Sequence, residues 1–569
     1  MSREHLISVA RGLQPADLVL ANARVINVFS GEIETASVAL SEGLIAGVGD
    51  YREAADVWDL RGKYLVPGLI NGHTHLESSM LSPGQYARAV VPRGTLAVVT
   101  DLHEIANVCG MDGIRYVMDC ARRLPVEFFL MAPSCVPATS LETSGAVIGI
   151  GEIKKLLRLR HCIGLGEVMN YPGVLAGDSE VLRKIALAER SNVDGHCPAL
   201  SGPGLNAYIG AGIGSDHESV SPDEGREKLR RGMYLMIREG STEKNLDALL
   251  PLVNDRTYPR CIFVVDDRSC ADLLGDGDID AVVRKAIMRG LEPVRAIQMA
   301  TINAAVYFRL KGLGAVAPGY RANLMVCESL RDLRADMVFH RGRLVARDGE
   351  PLFDVPEVTK KEILRTVNIG AFTPESLRLF PAADKEPVID IVPYQITTRK
   401  RMEVPRTRDG LVVADTERDI LKLAVVERHC ASGNVGLGMV RGFGLKRGAL
   451  ASSVAHDSHN VISVGTSDED MYCAIKEVES LEGGLVVACG GRVMASLALP
   501  VAGLLSGENP WRVAEEIEVL QKMAIEMGCG LADPFAALSF LALPVIPEIR
   551  LTDLGMVDVN EFRLIKRGE

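Results

Sequence analysis

The sequence carries no excess of basic residues: 63 Lys and Arg stand against 74 Asp and Glu, a formal net charge of −11. Nucleic-acid binding needs a basic patch to neutralise phosphates, so that class is argued against. Long apolar runs are missing too. The longest, near Phe535 to Pro547, is too short and too interrupted by proline to span a bilayer, so no membrane association is expected. The start, Met1-Ser-Arg-Glu-His, has no basic stretch followed by an apolar segment, so no secretory leader is expected. Twelve cysteines are scattered without one C-x-x-C pair. In so large a chain they read as reduced thiols, mostly core filler, of a cytoplasmic protein. Repeats, low-complexity runs, the P-loop pattern and the dinucleotide fingerprint are all absent. What remains is ordinary globular composition, 47% apolar and 24% charged over 569 residues, enough for two or three domains.

Against that background one word stands out: His73-Thr74-His75, placed where the apolar segment Tyr64-Leu-Val-Pro-Gly-Leu-Ile-Asn ends. Residues i and i+2 of a strand point the same way, so both imidazoles leave on one side, as two ligands of one metal must.

The first sixty residues read as short strands separated by Gly-containing turns: Leu18–Leu20, Arg24–Phe29, Ala36–Leu40 and Leu44–Val48. The pattern returns at Asn323–Cys327 and Asp336–Arg347, a hairpin turning at Arg341-Gly342. The expectation is a composite small β-sandwich domain from residues 1–66 plus 309–355, with residues 67–308 inserted. In the insert, apolar strands alternate with amphipathic helices. The strand candidates are Leu65–Ile70, Leu96–Thr100, Val126–Met131, Cys162–Gly166, Asn192–Asp194, Gly212–Ser215, Tyr234–Ile237 and Cys261–Val265. Ser221-Pro-Asp-Glu224 predicts a helix opened by a capping box. Eight strands over roughly 240 residues match a (β/α)8 barrel, whose functional side chains sit at the C-terminal strand ends. From Pro356 to Glu569 a third, α+β unit is expected, with Pro374, Pro381, Pro387, Pro393 and Pro405 leading into a Gly-rich stretch and a helix near Trp511–Met527.

The strand ends of the expected barrel collect His73, His75, Glu167, His196, His217 and Asp266. Four imidazoles and two carboxylates suffice for two divalent ions with one carboxylate shared. Water between two such cations loses a proton near neutral pH, and Asp266 is placed to accept it and pass it to a leaving group. His103, at the end of the second strand in Asp101-Leu-His-Glu, is a fifth imidazole in the pattern. Cys197 follows a ligand candidate directly and reads as core.

This set resembles the ligand set of the amidohydrolase superfamily, for which a flanking small β-domain is a frequent companion. Narrower words resemble its bacterial adenine deaminases over nearly the whole chain: Gly72-His-Thr-His-Leu-Glu-Ser-Ser-Met, Asp101-Leu-His-Glu-Ile-Ala-Asn-Val, Asp194-Gly-His-Cys-Pro-Ala, Ser215-Asp-His-Glu, Asp266-Asp-Arg and, near the C-terminus, Ser452-Ser-Val-Ala-His-Asp-Ser-His-Asn. The resemblance implies hydrolytic deamination of adenine to hypoxanthine and ammonia by a metal-bridged hydroxide attacking C6. It implies two Mn2+ or Fe2+ ions, with Zn2+ as an alternative, and a homo-oligomer. His103, Glu104, Glu218 and Asp267 become candidates for substrate-side acid and hydrogen-bond roles, with Asp266 as proton shuttle and Glu77 behind them. Glu167 stands where cyclic-amide hydrolases of the superfamily carry a lysine, which weighs against that alternative; a non-catalytic metal-binding scaffold is the other. His456, Asp457 and His459 read as a tight loop, with a second metal or the barrel mouth as rival roles.

Overall fold

The structure, a computed structural model, describes residues 3–355, 360–392 and 395–566. The expected boundary at Pro356 and the residue Pro393 lie outside the described residues. Each of the eight segments expected as strands of the insert overlaps one, the sixth, Gly212–Ser215, only at Ser215 because residues 212–214 are not strand. They are β1 (Leu69–Asn71), β2 (Thr95–Thr100), β3 (Glu127–Ala132), β4 (Cys162–Val168), β5 (Asn192–Gly195), β6 (Ser215–Asp216), β7 (Tyr234–Arg238) and β8 (Cys261–Val264). The segment expected as Leu65–Ile70 is two strands, because Tyr64–Pro67 joins a different sheet from β1.

These strands form a curled, mixed α/β unit. One parallel sheet runs β5-β4-β3-β2-β1 and a second β6-β7-β8. At one junction Gly214 N donates to Val193 O at 2.9 Å. At the other, Asp266–Asp267 beyond β8 pairs in parallel with Thr74–His75 beyond β1. All six residues of β2 and of β3 are buried, as expected of parallel strands with helices over one face and the side chains of other strands packed on the other. Among those helices, Pro222–Arg230 opens on Ser221, whose side chain accepts from Glu224 N at 3.3 Å. The reciprocal arm of the expected capping box is altered, since Glu224 accepts from Val220 N at 3.2 Å and from Lys228 Nζ at 2.8 Å.

Strands from residues 16–67 and 324–351 share one nine-stranded sheet, and Leu324–Cys327 pairs antiparallel with Tyr64–Pro67. Two segments expected as separate strands are one, Ala16–Asn27, with a register shift between Leu20 and Ala23 where Asn22 has φ 53°. Arg341 and Gly342, at φ 50° and 74°, make the tight turn between Ala335–His340 and Arg343–Arg347.

The C-terminal unit is built on an eight-stranded sheet covered by helices Asp468–Ser480 and Pro510–Glu526. The Gly-rich stretch is a strand, Val435–Arg441, crowded against another backbone: a Cβ on Gly436 would meet Thr552 O at 1.8 Å. Its glycines serve close packing. One buried hydrophobic cluster runs from Leu76, Tyr86 and Leu102 of the parallel unit to Leu423, Leu504 and Leu538, so the C-terminal unit shares a core with the parallel unit. Among the described residues no helix is long and apolar enough to cross a membrane.

Candidate metal centre

The chain ends of β1, β4, β5, β6 and β8 bring the six expected ligand candidates together. Glu167, on β4, is the pivot. Its Oε1 lies 3.2 Å from His75 Nε2 and 3.7 Å from His73 Nε2. Its Oε2 lies 2.7 Å from His196 Nδ1 and 3.3 Å from His217 Nε2. Asp266 Oδ1 stands 3.2 Å from both His73 Nε2 and His75 Nε2. One carboxylate thus faces two imidazole pairs through separate oxygens, and a second carboxylate completes the first pair.

The cluster is secluded: His73, His75, Glu167, His217 and Asp266 are buried, and His196 is half-buried. His73 Nε2 and Glu167 Oε1 lie in it without a hydrogen bond. Buried polar atoms left without partners are costly, and a cation between these groups would satisfy both. Against the upward push of burial, His217, His73, His75 and Arg238 hold the Asp266 carboxyl well below the usual range. Burial opposes protonation of His217, yet Asp266 and Glu167 raise it to about 10. Carboxylates so dependent on positive neighbours, with imidazoles among them, are the donor set of a divalent metal.

The remaining candidates surround this cluster. His103 Nδ1 lies 2.8 Å from Asp101 Oδ1 and 3.7 Å from Glu167 Oε1. Asp101 also stands 3.4 Å from His75 Nδ1, behind the ring that faces the centre. Glu218 lies 3.5 Å from His217 Nε2 and is gripped by the Arg238 guanidinium. Asp267 accepts from Ser78 Oγ, and burial together with Asp266 raises its carboxyl above the ordinary value. Glu77 is buried, and burial pushes it up to about 7. Glu104 turns toward the C-terminal unit, where His456 Nδ1 reaches its Oε1 at 2.6 Å. Cys197 is buried, its Sγ 3.3 Å from Asp216 Oδ1.

Sequence reasoning missed Arg238, whose Nη1 donates to Asp266 Oδ2 at 2.9 Å. It is the last residue of β7, so the strand-end rule that found the ligands also covers it. Asp101 sits inside a quoted word but was given no role.

The curled α/β fold and this buried cluster define the metal-dependent amidohydrolase class. Residues 64–345 match the amidohydrolase family, and residues 395–563 match the adenine deaminase C-terminal domain. An adenine deaminase of Dehalococcoides mccartyi is 60% identical over 560 residues, spanning 98% of each chain. Adenine deaminase 2 of Carboxydothermus hydrogenoformans is 49% identical over 562 residues, again 98% of each. An adenine deaminase of Methanothrix thermoacetophila is 48% identical over 99% of both chains. The chain belongs to the adenine deaminase family.

Proposed function

We propose that this protein hydrolyses adenine to hypoxanthine and ammonia. Full-length similarity to adenine deaminases supports the substrate. The observation that carries the chemistry is Glu167, with one oxygen toward His73 and His75 and the other toward His196 and His217.

We read two divalent ions there, manganese or iron with zinc as an alternative: one held by His73, His75, Glu167 and Asp266, the other by Glu167, His196 and His217. When bound, they supply Lewis-acid activation of water. The chain's own groups move the protons. The C6–N6 bond of adenine breaks, C6 gains the water oxygen, and the two water protons end on N1 and on departing ammonia. Asp266, beside the imidazoles and fixed by Arg238, takes a proton from water and hands it to the amine. His103, Glu218 and Asp267 line the same centre as substrate-side groups, and burial strengthens the electrostatic interactions among them.

We further read the eight parallel strands as one closed (β/α)8 barrel over residues 67–308, carried on a small domain of residues 1–66 plus 309–355 and followed by a third at 356–569. The assembled protein is read as a homo-oligomer.

The test is ammonia release from adenine by purified, manganese-loaded protein, with metal content measured on the same sample. A metal-replete protein that releases none overturns the reading.

A further inference from the structure

Helix His103–Ala121 begins just beyond the end of β2, and its first two side chains, His103 and Glu104, are both buried. One nitrogen of the His103 ring belongs to the metal centre: Nδ1 lies 2.8 Å from Asp101 Oδ1 and 3.7 Å from Glu167 Oε1. The other meets the boundary with the C-terminal unit. His103 Nε2 stands 3.4 Å from Glu104 Oε1 and 3.9 Å from Asp457 Oδ1. The same Glu104 oxygen takes His456 Nδ1 at 2.6 Å. A carboxylate only accepts, so His456 is the donor. One carboxylate oxygen therefore lies between an imidazole of the parallel unit and an imidazole of the C-terminal unit.

His456 is itself held from behind. Its backbone N donates to Ser539 O at 3.2 Å. Its ring stacks on Phe540, with centroids 4.6 Å apart and planes 24° from parallel. Ser539 and Phe540 close helix Pro534–Phe540. The path from that helix to Glu167 is unbroken: Phe540 meets His456, His456 meets Glu104, Glu104 meets His103, and His103 meets Glu167.

Side chains that act in a reacting centre must be held within about 0.5 Å of productive geometry by partners whose own rotamers are locked. Asp101 holds one nitrogen of the His103 ring. Glu104 faces the other, and so flexible a side chain can brace a ring only when its oxygen is tied down in turn. His456 supplies that tie from a unit that provides none of the six ligand candidates. A contact serving cohesion alone could end at Glu104; the approach of Glu104 Oε1 to His103 Nε2 carries this one to the metal centre.

We propose that His456 is a positioning residue for catalysis: through Glu104 it sets the orientation of His103, which makes the C-terminal unit a working part of the active site. The inference rests on the deaminase reading above, in which His103 is a substrate-side group.

The experiment measures kcat per bound manganese on the full-length, manganese-loaded parent and on His456→Asn, His456→Gln and His456→Leu. Asparagine carries its amide nitrogen as many bonds from Cβ as Nδ1, glutamine carries it one bond further, and leucine has no donor. Expected is a fall in kcat of about tenfold or more for glutamine and leucine, with metal content unchanged, and a value within about threefold of the parent for asparagine. The substitutions are then repeated beside His103→Asn, which keeps a donor toward Asp101 and lacks the nitrogen facing Glu104. There glutamine or leucine at position 456 should change kcat by less than about twofold, because the residue acts through His103. Equal kcat for the asparagine and glutamine variants, or an undiminished loss beside His103→Asn, overturns the inference. So does a leucine variant of parental kcat whose urea midpoint alone falls, the mark of a contact that only joins the two units. The asparagine–glutamine comparison decides even if His456→Leu does not fold. Failure of the parent to release ammonia from adenine would instead overturn the deaminase reading, and this inference with it.

Discussion

Glu104 and His456, 352 residues apart in sequence, meet at 2.6 Å between Oε1 and Nδ1. The other Glu104 oxygen faces His459 Nε2. His459 Nδ1 accepts from Ala455 N at 3.1 Å, so the proton of that ring sits on Nε2. Against burial, His456 and His459 hold the Glu104 carboxyl well below its ordinary value. The arrangement is a hydrogen-bonded clasp between the parallel unit and the C-terminal sheet.

Removing one side of that clasp strands the other. Glu104→Ala should destabilise the protein by about 3–5 kcal/mol, the cost typical of breaking a buried charged pair. Glu104→Gln, which keeps an acceptor, should cost less. Urea unfolding of the three proteins checks the order; equal midpoints for alanine and parent would show that no clasp exists.

Metal retention should follow the geometry. Glu167→Ala is expected to abolish divalent-metal binding, because each imidazole pair faces that carboxylate. Asp101→Ala, behind His75 and His103, should weaken metal affinity about 10–100-fold while leaving the stoichiometry intact in excess metal. Chelator competition followed by metal analysis separates the two outcomes.

Lys228 is fully buried, and its Nζ reaches Asp216 Oδ2 and Glu224 Oε1 at 2.8 Å each and Cys197 O at 3.0 Å. It ties the segment carrying His196 to the one carrying His217. Lys228→Met should cost about 3–5 kcal/mol by leaving buried carboxylates unpaired. Replacement of all three charged groups by apolar residues should recover part of the loss, as unfolding free energies would reveal.

A pH dependence follows from Glu127, at the start of β3. Burial raises its carboxyl, but His340, Arg321 and Arg341 outweigh this and bring it from 4.5 to about 2. A depressed folded value means stabilisation present above pH 4.5 and lost as pH falls toward 2. The amount is on the order of 3 kcal/mol. Glu127→Gln should therefore flatten the acid limb of the stability curve over that interval, while a limb that keeps its slope would assign the loss to other groups.

Much of the site was legible along the chain because a barrel-type strand end has a local signature. His73, His75, Glu167, His196, His217 and Asp266 each follow an apolar run, and the period of two in His73-Thr-His75 survives folding unchanged. The strands around them were visible for the same reason: runs buried on both faces are continuously apolar. Boundaries were less so. Tyr64–Pro67 and Leu69–Asn71 read as one run, yet hydrogen-bond partners far away in sequence place them in different sheets.

Other features were decided by the folded chain alone. That Glu167 divides its two oxygens between imidazole pairs, that Arg238 anchors Asp266, and that Glu104 belongs to a clasp all depend on distances between residues tens to hundreds apart. Glu142 shows the limit most clearly. In sequence it is one acidic residue in a polar loop; only burial beside Asp457 and Asp553 makes it distinctive. Residue type and periodicity are local properties, whereas solvent exclusion and pairing arise from which surfaces meet, and no single segment contains that information.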